Sequence, residues 1–203
     1  TDPPGCAARP PGGRWLIGLG ILAFGEGNGW GWRSAVALFG VLTVAVTMRL
    51  GWRVSQSLLV SLLAGLVLAI DGVHVVLTRI AVLDGFLAFF IALGALLMWR
   101  DHEWVVRRTA PTRPPRDLVL WNRPWLFAAA AAFGCAASVK WSGLYPLAAF
   151  LVLTALRDLV VRLRIARAAR TRLATARAWL GAFSQAAVTA LIALPTALAV
   201  YVA

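Results

Sequence analysis

The chain has 203 residues, of which 61% are hydrophobic and 14% charged, with a net charge of +12 and a mean hydropathy of +0.79. That apolar excess excludes a water-soluble globular domain, and the 10 Trp and 9 Phe exclude a chain that stays solvated as a coil. The positive charge lies between hydrophobic runs and not on one basic face, so no nucleic-acid partner is implied. The composition reads as an all-α integral membrane protein, a polytopic transmembrane helix bundle of about six spans. A closed barrel would need alternating polar and apolar positions, and these runs are apolar nearly all round.

From the amino end, residues 1–33 read as an exoplasmic segment with one short apolar or interfacial stretch, Trp15–Phe24. The bundle, 34–203, has spans predicted at about 34–50, 57–77, 80–99, 124–139, 142–156 and 178–201, set against the roughly 20 residues that cross a hydrocarbon core of ~30 Å. The first connection between spans carries Arg49 and Arg53, the loop 100–123 carries six Arg, and the loop 157–177 carries seven, so the positive-inside rule places all three in the cytoplasm. For both long basic loops to share that side, the 33 residues Pro124–Leu156 must cross twice, turning at Lys140-Trp141-Ser142-Gly143. The exoplasmic segments are then the stretch up to Arg33, a tight connection around Thr78-Arg79, and the turn at Lys140. Pro111, Pro114 and Pro115 mark 109–116 as loop. In 157–177 arginines alternate with Leu, Val and Ile, a pattern that suits either a plain orientation anchor or an interfacial helix on anionic headgroups.

Ionisable side chains within spans are informative because each is penalised by ~2.5–3.5 kcal/mol near a helix centre. Asp71, His74, Arg79, Asp84 and Lys140 stand out, all in the exoplasmic half or at its rim; no such cluster is expected in the cytoplasmic half. If they converge, they form an outward-facing polar pocket in which Arg79 offers a planar fork of donors to a phosphate and Lys140 a compact point charge. The alternatives are local: Arg79 pairing with Asp84 or Asp71 to pin a turn, Lys140 snorkelling to water, His74 hydrogen-bonded in packing. Asp84 also suits the first turn of the following helix through the helix dipole. Cys6 and Cys135 imply no disulfide framework. No zinc, nucleophile or nucleotide-loop signature occurs, and no metal or cofactor is expected.

Taken in order, Pro10-Pro11-Gly12-Gly13-Arg14-Trp15-Leu16-Ile17, Gly31-Trp32-Arg33, Ala69-Ile70-Asp71-Gly72-Val73-His74, Thr78-Arg79-Ile80-Ala81-Val82-Leu83-Asp84 and Val139-Lys140-Trp141-Ser142-Gly143-Leu144-Tyr145 resemble the protein O-mannosyltransferases, in their bacterial, actinobacterial-like branch. The likeness runs from Arg9 to about Asp158. It implies a glycosyltransferase of the GT-C type that moves mannose from a polyprenyl-phosphate mannose lipid to Ser or Thr of secreted or membrane proteins. The site would then lie on the exoplasmic face of the plasma membrane, with membrane lipids and the translocation machinery as further partners. Carried onto this chain, Arg79, Asp84, Lys140 and Trp141 become candidates for binding the donor phosphate or substrate, with Asp71, His74 and Arg14 secondary.

The chain departs from the family at Arg9-Pro10-Pro11-Gly12-Gly13-Arg14-Trp15, where the usual leading histidine is absent, and Thr1–Ala8 has no likeness to it. The acidic Asp-Glu pair of the family's first exoplasmic loop, whose Asp is the expected general base, would precede residue 1. The chain is therefore expected to be a fragment, inactive by itself, that keeps part of the donor site. A non-catalytic membrane scaffold or partner subunit is the alternative, and a transporter with a mid-membrane site fits less well because no broken helices recur as inverted repeats.

Overall fold

In a lipid surrounding every backbone N–H and C=O must find its partner within the chain, and α-helices achieve this segment by segment. In the computed structural model, which describes residues 12–27, 29–79, 83–108, 119–168 and 172–202, every regular element among the described residues is helical. In chain order these are α1 (Gly12–Phe24), α2 (Gly29–Ser55), α3 (Leu58–Ile70), α4 (Gly72–Arg79), α5 (Asp84–Arg108), α6 (Pro124–Val139), a 3-10 turn (Trp141–Gly143), α7 (Leu144–Ala168) and α8 (Arg172–Val202). Among them α2, α5, α7 and α8 are long and apolar enough to cross a membrane, and α3 with α4 makes a fifth if that bent pair is one span. At 16 residues, or about 24 Å, α6 is shorter than a usual span.

The stretch expected as one span over 57–77 is broken. α3 ends at Ile70, α4 starts at Gly72, and the two axes differ by 58°. The cause is local: the Asp71 carboxylate accepts the His74 backbone N–H at 2.9 Å, the N-cap arrangement that starts a new helix. The basic stretches also fold differently from expectation. Among the described residues of 157–177 no separate interfacial helix forms; α7 continues to Ala168 and α8 begins at Arg172, so Arg157, Arg162, Arg164, Arg167, Arg172 and Arg177 belong to the two helices. Long arginines cost a helix little, and no Gly or Pro interrupts 157–177. Residues 109–118, with the three loop prolines, lie outside the described residues, as do 80–82 in the expected exoplasmic connection.

Two packed centres organise the bundle. One joins α5, α6, α7 and α8 through Met98, Leu126, Phe133, Leu147 and Ile192; the other joins α2, α5 and α6 through Val36, Phe86 and Val139. Close approach comes from small residues, as expected where lipid tails are as apolar as leucine and burial alone gives no attraction between helices. The Phe133 ring fills the space over Gly94, where a Cβ would lie 2.6 Å from Cζ. Between α2 and α3, the Ser61 hydroxyl donates to the Met48 carbonyl at 2.7 Å and Gly65 admits the Met48 side chain. Outward, α3 leaves Leu58, Leu59, Leu62, Leu63, Leu66 and Val67 exposed, a surface suited to acyl chains and not to water.

Gly94→Ala should therefore lower stability by about 1–3 kcal/mol through overpacking. Unfolding of the detergent-solubilised protein would measure it, and adding Phe133→Leu should return part of the loss.

Candidate functional site

The break at Asp71 gives α4 its direction, and α4 carries His74, Thr78 and Arg79 along α2. A glycine makes this contact possible: a Cβ at Gly40 would meet Thr78 Cγ2 at 2.6 Å. His74 donates from Nε2 to the Gly40 carbonyl at 3.3 Å, an acceptor that fixes the proton on that nitrogen. Thr78 Oγ1 donates back to the His74 carbonyl at 2.9 Å. A groove of about 420 Å³ runs between α2, α3 and α4, with apolar walls from Ala37, Val41, Val44, Ala69 and Val75 and with Arg33, His74 and Arg79 among its polar lining. Arg79 is exposed in the last turn of α4, where the helix dipole favours a cation, and makes no ion pair among the described residues. Arg33 lies 4.4 Å over the Trp32 ring, a cation–π contact.

A second group forms at the start of α5 and the end of α6. Lys140 Nζ donates to Asp84 Oδ1 at 2.9 Å, joining residues 56 positions apart. The turn expected at Lys140-Trp141-Ser142-Gly143 forms, as a 3-10 turn over Trp141–Gly143, and makes this possible. Lys140 closes α6 with its N–H on the Ala136 carbonyl at 3.0 Å, and Gly143 packs so tightly on α6 that a Cβ would lie 2.6 Å from Ala136 C. Trp141 is exposed, with its ring edge toward Tyr201 at 5.9 Å.

The seven candidates thus divide. His74 and Arg79 share the groove, Asp84 and Lys140 share an ion pair, Trp141 follows Lys140 and is exposed, and Asp71 works as a helix cap; Arg14 is exposed on α1 and forms no ion pair among the described residues. Neither local pairing envisaged for Arg79 forms, since Asp84 takes Lys140 and Asp71 takes the His74 N–H. Among the described residues no three His, Cys, Asp or Glu side chains gather as a metal site.

One expectation is overturned. The opposite end of α5 from Asp84 holds the most buried charges of the described residues, Asp101 at 0% and Arg123 at 1% exposure. Arg123 Nε donates to Asp101 Oδ1 at 3.2 Å, Nη2 donates to Asp101 Oδ2, and Nη1 donates to Thr189 Oγ1 at 2.8 Å. Gln185 accepts the Leu120 N–H at 2.8 Å and donates to the Leu120 carbonyl at 3.3 Å. Arg53 with Glu103, and Arg157 with His102 and Asp158, surround this network. Reading 100–123 as one loop hid it. The available signals were Arg123 directly before Pro124, and Gln185 and Thr189 four residues apart in an otherwise apolar run.

The sequence matches the family model described as dolichyl-phosphate-mannose-protein mannosyltransferase over residues 9–203. It is 40% identical over 187 residues to a polyprenol-phosphate-mannose–protein mannosyltransferase of Mycobacterium tuberculosis, covering 87% of this chain and 34% of that protein. Similar proteins of the same name occur in Mycolicibacterium smegmatis, at 40% identity over 78% of this chain and 32% of the relative, and in Corynebacterium glutamicum, at 37% over 79% and 32%. The chain therefore spans about a third of the length of the curated relatives it matches. No solved structure matches it.

The two ion pairs should differ sharply in weight. Lys140→Met, at an exposed pair, should change stability by less than about 1 kcal/mol. Arg123→Met leaves Asp101 buried without its partner and should cost about 3–5 kcal/mol, read from unfolding in micelles.

Proposed function

Because the chain belongs to the dolichyl-phosphate-mannose-protein mannosyltransferase family, we propose that it is the portion of a membrane glycosyltransferase that holds the phosphate end of a polyprenyl-phosphate mannose donor. In the complete enzyme mannose passes to a Ser or Thr hydroxyl of a secreted or membrane protein. The acceptor oxygen forms its bond to the sugar's anomeric carbon as the bond from that carbon to the phosphate oxygen breaks. The electron pair leaves with the polyprenyl phosphate, and the hydroxyl proton goes to a carboxylate supplied outside this chain.

The residues here act on the leaving group. Arg79 presents a fork of N–H donors to phosphate oxygens, and Lys140 adds a second cation. Charge accumulates on the phosphate as the bond breaks, so cations already in position stabilise that stage more than the bound donor. Asp84 orients the Lys140 ammonium and leaves two of its three donors for another anion. His74 lines the groove beside Arg79, and Trp141 follows Lys140 in the chain.

The observation that carries this reading is the Asp84–Lys140 pair at 2.9 Å, which brings two distant motifs of the family resemblance to one place. The positive-inside rule supports an exoplasmic position for it, because the arginine-rich stretches lie at the other ends of α5, α6 and α7. The site then faces outward from the plasma membrane, within reach of chains leaving the translocation machinery.

Mannose transfer from a polyprenyl-phosphate mannose to a Ser/Thr peptide, assayed in membranes holding the complete protein, tests the proposal. Arg79→Ala should lower transfer by roughly 10²-fold or more while leaving membrane insertion intact. Full activity in that variant would remove Arg79 from the donor site. An inserted wild-type protein with no transfer would favour a non-catalytic membrane partner instead.

A further inference from the structure

The middle of α6 is built from small residues: Ala129, Ala130, Ala132, Gly134, Ala136 and Ala137. Such a surface lets α5 and α8 approach closely, but its alanines and glycine carry shallow ridges that give little hold against a slide along the axis, ~5.4 Å for one turn. Phe133 over Gly94 resists that slide sterically. The polar end resists it by direction. Arg123 immediately precedes Pro124, the first residue of α6, and its planar guanidinium meets both oxygens of Asp101 on α5 while a third nitrogen reaches Thr189 on α8. A forked contact of this kind is lost on a shift of one turn. Gln185 holds Leu120 just upstream through two bonds to its backbone. The far end of α6 is Lys140, about 24 Å away along a 16-residue helix.

We propose that Asp101, Arg123 and Thr189 are positioning residues: they fix the axial register of α6 against α5 and so set Lys140 opposite Asp84 at the other end of the helix. Buried ion pairs are often neutral in stability compared with an apolar replacement, and registry is their best-attested use. Here each guanidinium nitrogen of Arg123 has an acceptor, the partners come from three chain segments, and the forked contact adds a directional restraint on the height of α6 to the steric one at Phe133. The importance of the Lys140–Asp84 geometry for donor binding rests on the function proposed above; the control of register does not.

The test uses the complete protein in lipid nanodiscs, with spin labels on cysteines replacing the exposed Ala88 of α5 and Leu144 just after the 3-10 turn. Asp101→Asn keeps the shape of the side chain and removes its charge; Thr189→Val removes one hydrogen bond and is the milder variant if the first does not fold. Either folded variant is expected to shift or broaden the distance distribution between the labels. The unlabelled variants should lose roughly 10-fold to 100-fold in kcat/KM for the lipid donor, chiefly through KM. Folded variants with a lower melting temperature but the wild-type distance distribution and donor KM would overturn the proposal, leaving the network a purely stabilising one. If Asp101→Asn does not fold, the Thr189→Val distances decide alone. Absence of mannose transfer in the wild type would count against the function, while the label distances would still decide the register.

Discussion

Within hydrocarbon, apolar side chains gain little by leaving lipid for one another, so helices there are held by close approach and by polar contacts that have no better partner. This constraint accounts for most of what distinguishes the chain. Glycines lie where another element crosses: Gly40 under Thr78, Gly65 under Met48, Gly94 under Phe133 and Gly143 against α6. Hydroxyls of Ser61, Thr78 and Thr189 are spent on carbonyls of their own or neighbouring helices. The bare leucines of α3 follow from the same rule, because a face that gains nothing by packing can stay in contact with lipid.

The groove depends on a second use of polar groups. A helix that stops inside a membrane must satisfy the N–H groups of its successor, and the Asp71 carboxylate does so for α4. Without that cap the apolar run would continue straight, and His74 and Arg79 would leave their places beside Gly40 and Arg33. One carboxylate thus shapes the backbone around a groove it does not line.

Much of the architecture was legible in the sequence, but unevenly. The turn at Lys140 could be read because arginine-rich stretches on both sides of 33 apolar residues implied a double crossing, and a Lys-Trp-Ser-Gly turn was available at the midpoint. The break in α3–α4 was hidden by hydropathy averaged over a window, in which one Asp and one Gly hardly weigh; the local rule that a carboxylate caps a helix would have found it. Asp84 and Lys140 were individually conspicuous because each is costly in a span, yet that they pair with each other, leaving Arg79 to the groove, depends on helix heights that spacing alone does not give. The Asp101–Arg123–Thr189 network was least visible, since its members come from a helix end, a connection and a distant apolar helix, and only tertiary packing turns three unremarkable residues into one buried unit.

α6 is fastened by an ion pair at each end, and the two differ in their access to water: Arg123 and Asp101 have essentially none, whereas the Lys140 and Asp84 side chains are 56% and 36% exposed. Mobile ions screen a solvated pair and hardly reach a buried one, with a screening length of about 8 Å at physiological ionic strength. Rising salt therefore loosens the Lys140 end while the Arg123 end stays fixed. The helix responds to its surroundings as a lever with one clamped end, and dissolved anions act on the end that carries the exposed ammonium.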